Sequence, residues 1–180
     1  MVLHLIRKLR DNTQMQLSEK EIITSLQSYV DQIPFVRPLT ILVEQASQGF
    51  VSLAMKPLKG LLNHFETYQA GSIFTLAEVA GGTLCGTFLD LSKNLLITKK
   101  GEIAFLKATS EKLVAEAKMD QDLIKRTLSE LEKSKKIDAP VSVFINTANG
   151  EPIAECHFVY YLRFGIPRTF SSKQSIKTHD

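Results

Sequence analysis

A stripe of apolar residues at helical spacing runs through the N-terminal part of the chain. Ser18 and Glu21 have the spacing of a capping box, in which each residue satisfies a backbone N–H of the other at the start of a helix. Pro34 and Pro38 end the pattern, because proline interrupts helical hydrogen bonding. The stripe consists of Ile22, Ile23, Leu26, Tyr29, Val30 and Ile33. The sequence therefore predicts one helix here, packed on the body of the protein through its apolar face.

Runs rich in β-branched and aromatic residues, separated by turn residues, predict six strands. They cover residues 40–45, 49–55, 94–107, 111–119, 141–146 and 153–164. The first two form a hairpin, and the last two are joined by a turn that contains Asn149 and Gly150. Residues 120–136 carry the amphipathic pattern of a surface helix. Strands and helices in this order predict an α+β fold.

A central helix is predicted over residues 68–89, where the pattern is apolar nearly all round. Such a helix is buried on most sides, as when a curved sheet wraps it. Glu78 is the only charged residue between Glu66 and Asp90. Because an unpaired buried charge is costly, this carboxylate must be paired, protonated, or open to solvent or substrate.

The neighbours of Glu78 on its helical stripe are small. Gly71, Thr75, Glu78, Gly82 and Cys85 are separated by 4, 3, 4 and 3 residues, which places them on one side of the helix. One interpretation is close packing of the helix, with Glu78 in a salt bridge at a subunit interface. We favour the other, in which a functional carboxylate lies in an apolar niche.

The segment that leads into the central helix is polar and has little side-chain bulk at its end. It carries Asn63 and His64, and it closes with Gln69, Ala70 and Gly71. The first N–H groups of a helix have no partner inside the helix and lie at the positive end of its dipole. They favour negative charge that develops on an oxygen atom, and one such donor contributes roughly 3 kcal/mol to a transition state.

These residues resemble the signature of the hotdog-fold acyl-CoA thioesterases, nearest to a less characterised branch of that superfamily. Asn63 precedes the small residues of the helix start, and Glu78 follows Asn63 by 15 residues. The segment from Leu106 to Thr109 resembles the stretch that runs beside the pantetheine arm. The resemblance covers about residues 39–164. It implies an antiparallel sheet wrapped around one long central helix, to which this chain adds an N-terminal helix.

The resemblance also implies an activity and its residues. Glu78 is expected to act as general base or as nucleophile in thioester hydrolysis, Gly71 to stabilise the oxyanion through its backbone N–H, and Asn63 to orient the water or the thioester. Residues expected to contact the substrate are Ala70, Gln69, His64, Thr75, Gly82, Lys107 and Ala108. Many members have histidine where this chain has Gln69, but the oxyanion role needs only a backbone N–H.

Gly71 and Glu78 are too far apart to act on one carbonyl within one chain. Seven residues of helix separate them by about 10 Å. Two chains with antiparallel helices would bring the helix start of one to Glu78 of the other. This agrees with the dimers, or dimers of dimers, that the resemblance implies.

Composition adds limits rather than a function. The chain has 180 residues and a net charge of +3, which does not indicate nucleic acid binding. It has neither an apolar run long enough to span a membrane nor a signal-peptide pattern, and its two cysteines form no Cys-x-x-Cys motif. A cytoplasmic protein is expected. The four histidines are scattered, so no metal site is predicted, and coenzyme A is expected as part of the substrate rather than as a cofactor.

The expected organisation is a helical extension at 1–38, a hotdog domain at 39–164 with a helical insertion near 120–136, and a flexible tail at 165–180. Two other functions remain open. A hotdog dehydratase would pair histidine with a carboxylate, but His64 precedes the helix rather than opening it. A non-catalytic acyl-CoA sensor or scaffold would not need an acid in an apolar niche. The sequence does not decide between coenzyme A and an acyl carrier protein as carrier.

Overall fold

The computed structural model describes residues 18–165, which contain one six-stranded sheet and three α-helices. The helices are α1 (Glu19–Val30), α2 (Ala70–Gly86) and α3 (Gln121–Ser134). The strands are β1 (Leu42–Ser47), β2 (Phe50–Met55), β3 (Asn94–Phe105), β4 (Leu113–Lys118), β5 (Lys136–Thr147) and β6 (Pro152–Phe164). All neighbours are antiparallel, in the order β1-β2-β4-β5-β6-β3.

The core lies between α2 and the inner face of the sheet. α2 packs against the strands from β2 to β6, and Leu76, Ala80 and Leu84 on it are fully buried. Large side chains from the strands, such as Leu53 and Phe158, are buried against it. Full burial of a side chain of this size contributes about 1.5–3 kcal/mol, so this contact dominates stability. The predicted α+β hotdog architecture, an antiparallel sheet around one central helix, is confirmed.

α2 is shorter than the apolar pattern suggested. The pattern covers residues 68–89, but Tyr68 is extended and donates its N–H to the carbonyl of Thr109 at 2.9 Å. At the other end, the hydroxyl of Thr87 donates to the carbonyl of Leu84 at 2.7 Å and accepts the N–H of Gly49 at 3.0 Å. Both ends are therefore set by contacts with distant loops.

α1 forms as predicted, with both halves of its capping box. The N–H of Ser18 donates to the Glu21 carboxylate at 2.9 Å, and the N–H of Glu21 donates back to the Ser18 hydroxyl. Leu26 and Val30 of the predicted apolar stripe are buried. The helix ends at Val30, ahead of Pro34.

β5 begins at Lys136, five residues earlier than predicted. The predicted start at residue 141 was wrong, because the sequence has a proline at position 140 and proline is disfavoured in the interior of a strand. In the register, Pro140 lies opposite Val159 of β6, whereas β4 pairs only with the part of β5 from Val143 onward. This proline thus lies where β5 has one neighbour, as is usual for a proline within a strand.

Residues 1–17 and 166–180 lie outside the described range. The division into an extension at 1–38, a body at 39–164 and a tail at 165–180 therefore stays a prediction. Among residues 18–165, no helix is long and apolar enough to cross a membrane.

Candidate active site

Glu78 lies in the middle of α2, half-buried, and its carboxylate is held by a hydroxyl group. The Oγ1 of Thr98 on β3 donates to Glu78 Oε1. The Tyr160 hydroxyl on β6 donates to the backbone carbonyl of Glu78 at 2.7 Å. Within residues 18–165, no lysine, arginine or histidine pairs with this carboxylate. A neutral donor leaves its negative charge in place, as a base or nucleophile requires.

β3 has a bulge directly after Thr98. Thr98 pairs with Tyr160 of β6, but the next pair is Lys100 with Val159, so Lys99 is an extra residue. A bulge changes which residues of a strand face the core. Thr98 precedes the bulge and faces Glu78 by regular alternation with Leu96. After the bulge, Gly101 rather than Lys100 faces inward, against the rings of Phe74 and Phe158.

The small residues beside Glu78 serve two purposes. Near Gly81, a Cβ would lie 2.9 Å from Cε2 of Tyr160 and nearer still to its hydroxyl oxygen, so this glycine makes room for the tyrosine. At Gly82, a Cβ would meet Leu96 and Tyr160 only at 3.7 and 3.8 Å, which is ordinary contact. At Gly71 a Cβ would meet nothing within 4 Å. The space beside this stripe is thus occupied by Leu96 and Tyr160 near Gly82, and it is empty near Gly71.

Two further groups near Glu78 are chemically inert at neutral pH. Burial raises the pKa of the Cys85 thiol to about 12, so it stays protonated and is no nucleophile. Burial, and then the charge of Glu78, raises the pKa of Tyr160 well above its ordinary value. The Tyr160 phenol is therefore a permanent donor. The hydroxyl of Thr75 is occupied by the carbonyl of Gly71 at 2.8 Å.

The start of α2 has unused donors. Gln69 is its N-cap, and the carbonyl of Gln69 accepts the N–H groups of Ser72 and Ile73. The N–H groups of Ala70 and Gly71 have no acceptor within residues 18–165, and both residues are exposed. The side chain of Gln69 makes no capping bond. This end of α2 can therefore receive an oxyanion from outside.

Asn63 holds the loop that precedes α2. Its Oδ1 accepts the N–H of Phe65 at 2.8 Å and that of Thr67 at 3.4 Å, and its Nδ2 donates to the Thr67 hydroxyl at 3.0 Å. His64 is exposed, and its ring lies 3.9 Å from that of Phe65 between centroids. Both Asn63 and His64 line an open depression of about 810 Å³ that does not include Glu78.

Lys107 and Ala108 follow β3 and run beside the helix start. The carbonyl of Thr109 in this segment accepts the N–H of Tyr68, which ties it to the loop before α2. Lys107 forms an exposed ion pair with Glu151. The described chain thus joins the segment to Tyr68, two residues before the start of α2, but leaves the Lys107 ammonium already paired.

Sequence reasoning missed Thr98 and Tyr160. Each contacts Glu78 across a large gap in the chain, 20 and 82 residues respectively. No local spacing connects such positions, and only a strand register places both beside the carboxylate. Residues 18–165 contain no group of three or more His, Cys, Asp or Glu side chains able to hold a metal ion.

Residues 24–162 match the family model of a domain of unknown function, DUF4442. The chain belongs to the DUF4442 family. No curated protein matches its sequence. This DUF4442 chain is 27% identical to a Pseudomonas aeruginosa protein of unknown function named a probable thioesterase, with a TM-score of 0.71 over 83% of this chain and 98% of that one.

Two more solved structures share the fold of this DUF4442 chain. A proposed thioesterase from Shewanella oneidensis is 20% identical, with a TM-score of 0.68 over 82% of this chain and 99% of that one. A hypothetical thioesterase from Streptococcus pneumoniae, solved with coenzyme A, is 17% identical, with a TM-score of 0.54 over 71% and 89%. The predicted resemblance to the hotdog-fold thioesterases is confirmed.

Proposed function

We propose that this protein hydrolyses acyl thioesters of coenzyme A. The observation that carries the proposal is Glu78, a carboxylate in the central helix that is held by the neutral Thr98 hydroxyl and by no cation of the described chain. The thioesterase name of the Pseudomonas aeruginosa relative and the coenzyme A in the Streptococcus pneumoniae structure support the reaction and its carrier. An acyl carrier protein remains the alternative carrier.

The reaction balances with Glu78 and the backbone N–H groups at the start of α2. Glu78 accepts a proton from water as the water oxygen attacks the thioester carbon, and the carbonyl oxygen gains negative charge. The N–H of Gly71, with that of Ala70, stabilises this oxygen. When the C–S bond breaks, the sulfur takes the proton and free thiol leaves. In the nucleophilic variant Glu78 itself attacks, and the C–S bond breaks so that a thiolate leaves and an anhydride forms. Water then hydrolyses the anhydride, which restores Glu78, releases the acid and supplies the proton for the thiolate.

The site requires a second chain. Gly71 and Glu78 share one face of α2 but lie about 10 Å apart along its axis. Among the described strands, β3 pairs on one side only, with β6, and it exposes Ile97 and Phe105. A long edge strand of this kind is a template for pairing with another chain. We place the partner there, so that its helix start reaches Glu78.

We expect a dimer in solution, with a mass twice the 20.1 kDa of one chain. Ile97→Lys puts a charge on the free edge of β3 and should yield monomers that release little thiol, because each lacks its partner's helix start. Light scattering coupled to gel filtration gives the mass, and the thiol assay gives the rate. Lys99→Ala, which alters only the neighbouring exposed ion pair with Asp138, is the matched control. A monomeric variant with full activity contradicts the shared site.

Thr98 is expected to act as a positioning residue for Glu78. Thr98→Val keeps the shape of the side chain but removes the donor, and a hydrogen bond to a charged group contributes about 1.5–3 kcal/mol. The value of kcat should fall about 10-fold to 100-fold. Thr98→Ser should retain most of the rate because its hydroxyl can still donate. Equal rates for the valine and serine variants would show that the hydroxyl has no such role.

The other residues predicted to contact the substrate differ in where they lie and in whether their polar groups are already bonded. Ala70 and Gln69 stand at the helix start, and Gly82 lines the filled end of the stripe. His64 lies in the depression beside Asn63, and Asn63 contributes mainly by shaping the loop.

The hydroxyl of Thr75 is bonded within α2. Lys107 must leave Glu151 before it can meet a phosphate of coenzyme A. Ala108 remains a candidate for contact with the pantetheine arm.

The deciding experiment is release of free thiol from a panel of acyl-coenzyme A substrates of increasing chain length. Thiol release by the wild-type protein supports hydrolysis, and the preferred chain identifies the acyl group. Binding of acyl-coenzyme A without release of thiol contradicts hydrolysis and favours the sensor. If the protein neither binds acyl-coenzyme A nor releases thiol from it, coenzyme A thioesters are excluded as ligands.

A further inference from the structure

The open depression that contains Asn63 and His64 lies beside the start of α2. Its volume of about 810 Å³ is in the range of small-molecule sites, and it is lined by the loop between β2 and α2 together with Ser110 from the connection after β3. Leu62 of this lining pairs with Tyr68, and Asn63 Nδ2 donates to the carbonyl of Tyr68 at 3.5 Å. Tyr68 is two residues before α2, so a ligand whose carbonyl oxygen lies at the free N–H groups of the helix start has the depression next to it.

Two aromatic rings at this depression are presented to solvent. His64 lines it, and the ring of Phe65 lies 3.9 Å from the His64 ring between centroids, with 43° between the ring planes. Phe65 is 74% exposed, although burial of such a side chain is favourable. The turn that carries both rings is fixed by Asn63, whose Oδ1 accepts the N–H of Phe65 at 2.8 Å and whose carbonyl accepts the N–H of Glu66 at 3.0 Å. The two rings are therefore held in place by backbone contacts and remain available to a planar group.

The depression also has a lysine that is free to bind an anion. Lys59 lines it and forms no ion pair within residues 18–165, whereas Lys107 is already paired. Lys56, three residues earlier, is exposed and likewise forms no ion pair in this part of the chain. Glu66 adds one carboxylate to the lining. Because the two lysines exceed this negative charge, the local potential favours an anionic ligand.

We propose that this depression binds the 3′-phosphoadenosine part of coenzyme A, with the adenine ring against His64 and Phe65 and a phosphate group at Lys59. The inference rests on the proposed function, since it takes the same acyl-coenzyme A and places its nucleotide beside the helix start. Stacking on aromatic side chains, together with positive charge at the phosphates, is a general way of holding a nucleotide. A carrier protein presents only a phosphopantetheine arm and has no adenine to stack there. The depression therefore favours coenzyme A over an acyl carrier protein as carrier.

Two ligands without a thioester test the contact directly. Coenzyme A carries the 3′-phosphoadenosine part, and 4′-phosphopantetheine is the same molecule without it. Calorimetry with the wild-type protein, Phe65→Ala and the matched control Phe35→Ala gives the dissociation constants. Phe35 is 73% exposed, as Phe65 is, but it does not line the depression. Phe65→Ala should weaken binding of coenzyme A about 10-fold, because a stacking surface is lost, and leave that of 4′-phosphopantetheine nearly unchanged. The control should bind both ligands as the wild type does.

Lys59→Gln removes the charge and should weaken binding of coenzyme A about 2-fold to 5-fold at low salt, and less at high salt because ions screen the attraction. Lys136→Gln, at an exposed lysine of β5 outside the depression, is its matched control. Wild-type affinity for coenzyme A in both Phe65→Ala and Lys59→Gln overturns the proposal. Equal affinity of the wild type for coenzyme A and 4′-phosphopantetheine overturns it as well. If Phe65→Ala melts lower than the wild type, Lys59→Gln and the two wild-type affinities still decide the matter.

Thiol release separates this inference from the proposed function. Phe65→Ala should raise KM for acyl-coenzyme A and leave kcat unchanged, because the nucleotide contact is the same in the ground state and the transition state. Hydrolysis by the wild type with an unchanged KM in Phe65→Ala supports the proposed function but overturns the nucleotide site. A wild type that binds coenzyme A more tightly than 4′-phosphopantetheine, loses this preference in Phe65→Ala and releases no thiol contradicts hydrolysis and supports the nucleotide site.

Discussion

Glu78→Gln is expected to lower thiol release from acyl-coenzyme A at least 100-fold, since a positioned general base contributes about 10²–10⁴-fold and a nucleophile more. Glutamine has the size of glutamate, and its amide oxygen can still accept the Thr98 hydroxyl. The fold should therefore stay intact while the group that takes the proton is lost. Initial rates with a thiol reagent, together with the melting temperature, check both parts.

Two further variants sharpen the result. Glu78→Asp keeps the charge but withdraws it by one methylene, so a base that acts through water should retain more activity than a nucleophile that must reach the carbon. Glu155→Gln, an exposed glutamate on β6, is the matched control and should behave as wild type. Wild-type rates in Glu78→Gln would eliminate the carboxylate from the chemistry, whatever the substrate.

Gly81→Ala is expected to destabilise the protein by about 1–3 kcal/mol, the usual cost of inserting a methyl group into a packed core. Its Cβ would collide with the ring and hydroxyl of Tyr160, which is fully buried and bonded to Glu78. Gly82→Ala, one residue along, meets only ordinary contacts. Because alanine favours helix over glycine by about 1 kcal/mol, Gly82→Ala should be neutral or stabilising.

Urea unfolding of both variants gives the two free energies. The hydroxyl of Tyr160 is the atom nearest to the new methyl group, so adding Tyr160→Phe to Gly81→Ala should cost less than the sum of the single changes. Equal destabilisation by the two alanines would mean that Tyr160 moves freely. Thiol release by the two alanine variants also reports on function. A Tyr160 displaced by the new methyl group of Gly81→Ala no longer fixes the backbone at Glu78, whereas Gly82→Ala leaves Tyr160 in place.

Much of the fold followed from local patterns. The capping box of Ser18 and Glu21 marks the start of α1 because its hydrogen bonds join residues three apart. The apolar pattern of α2 showed a buried helix and set Glu78 apart as its one charge. Both signals connect residues that are only three or four positions apart in the chain, as the 3.6-residue period of a helix requires. They can therefore be recognised without knowing the rest of the fold. The start of β5 at Lys136 did not follow, since the proline that hid it is acceptable only where β4 is absent.

The sequence by itself determined that an antiparallel sheet encloses one apolar helix and that a single carboxylate stands inside it. The tertiary structure alone decided what surrounds that carboxylate. Thr98 reaches it through the pairing of β3 with β6, and Tyr160 through the space left by Gly81. Periodicity describes which face of an element is apolar. Only strand register and helix packing decide which distant side chains meet there, because these depend on contacts between elements.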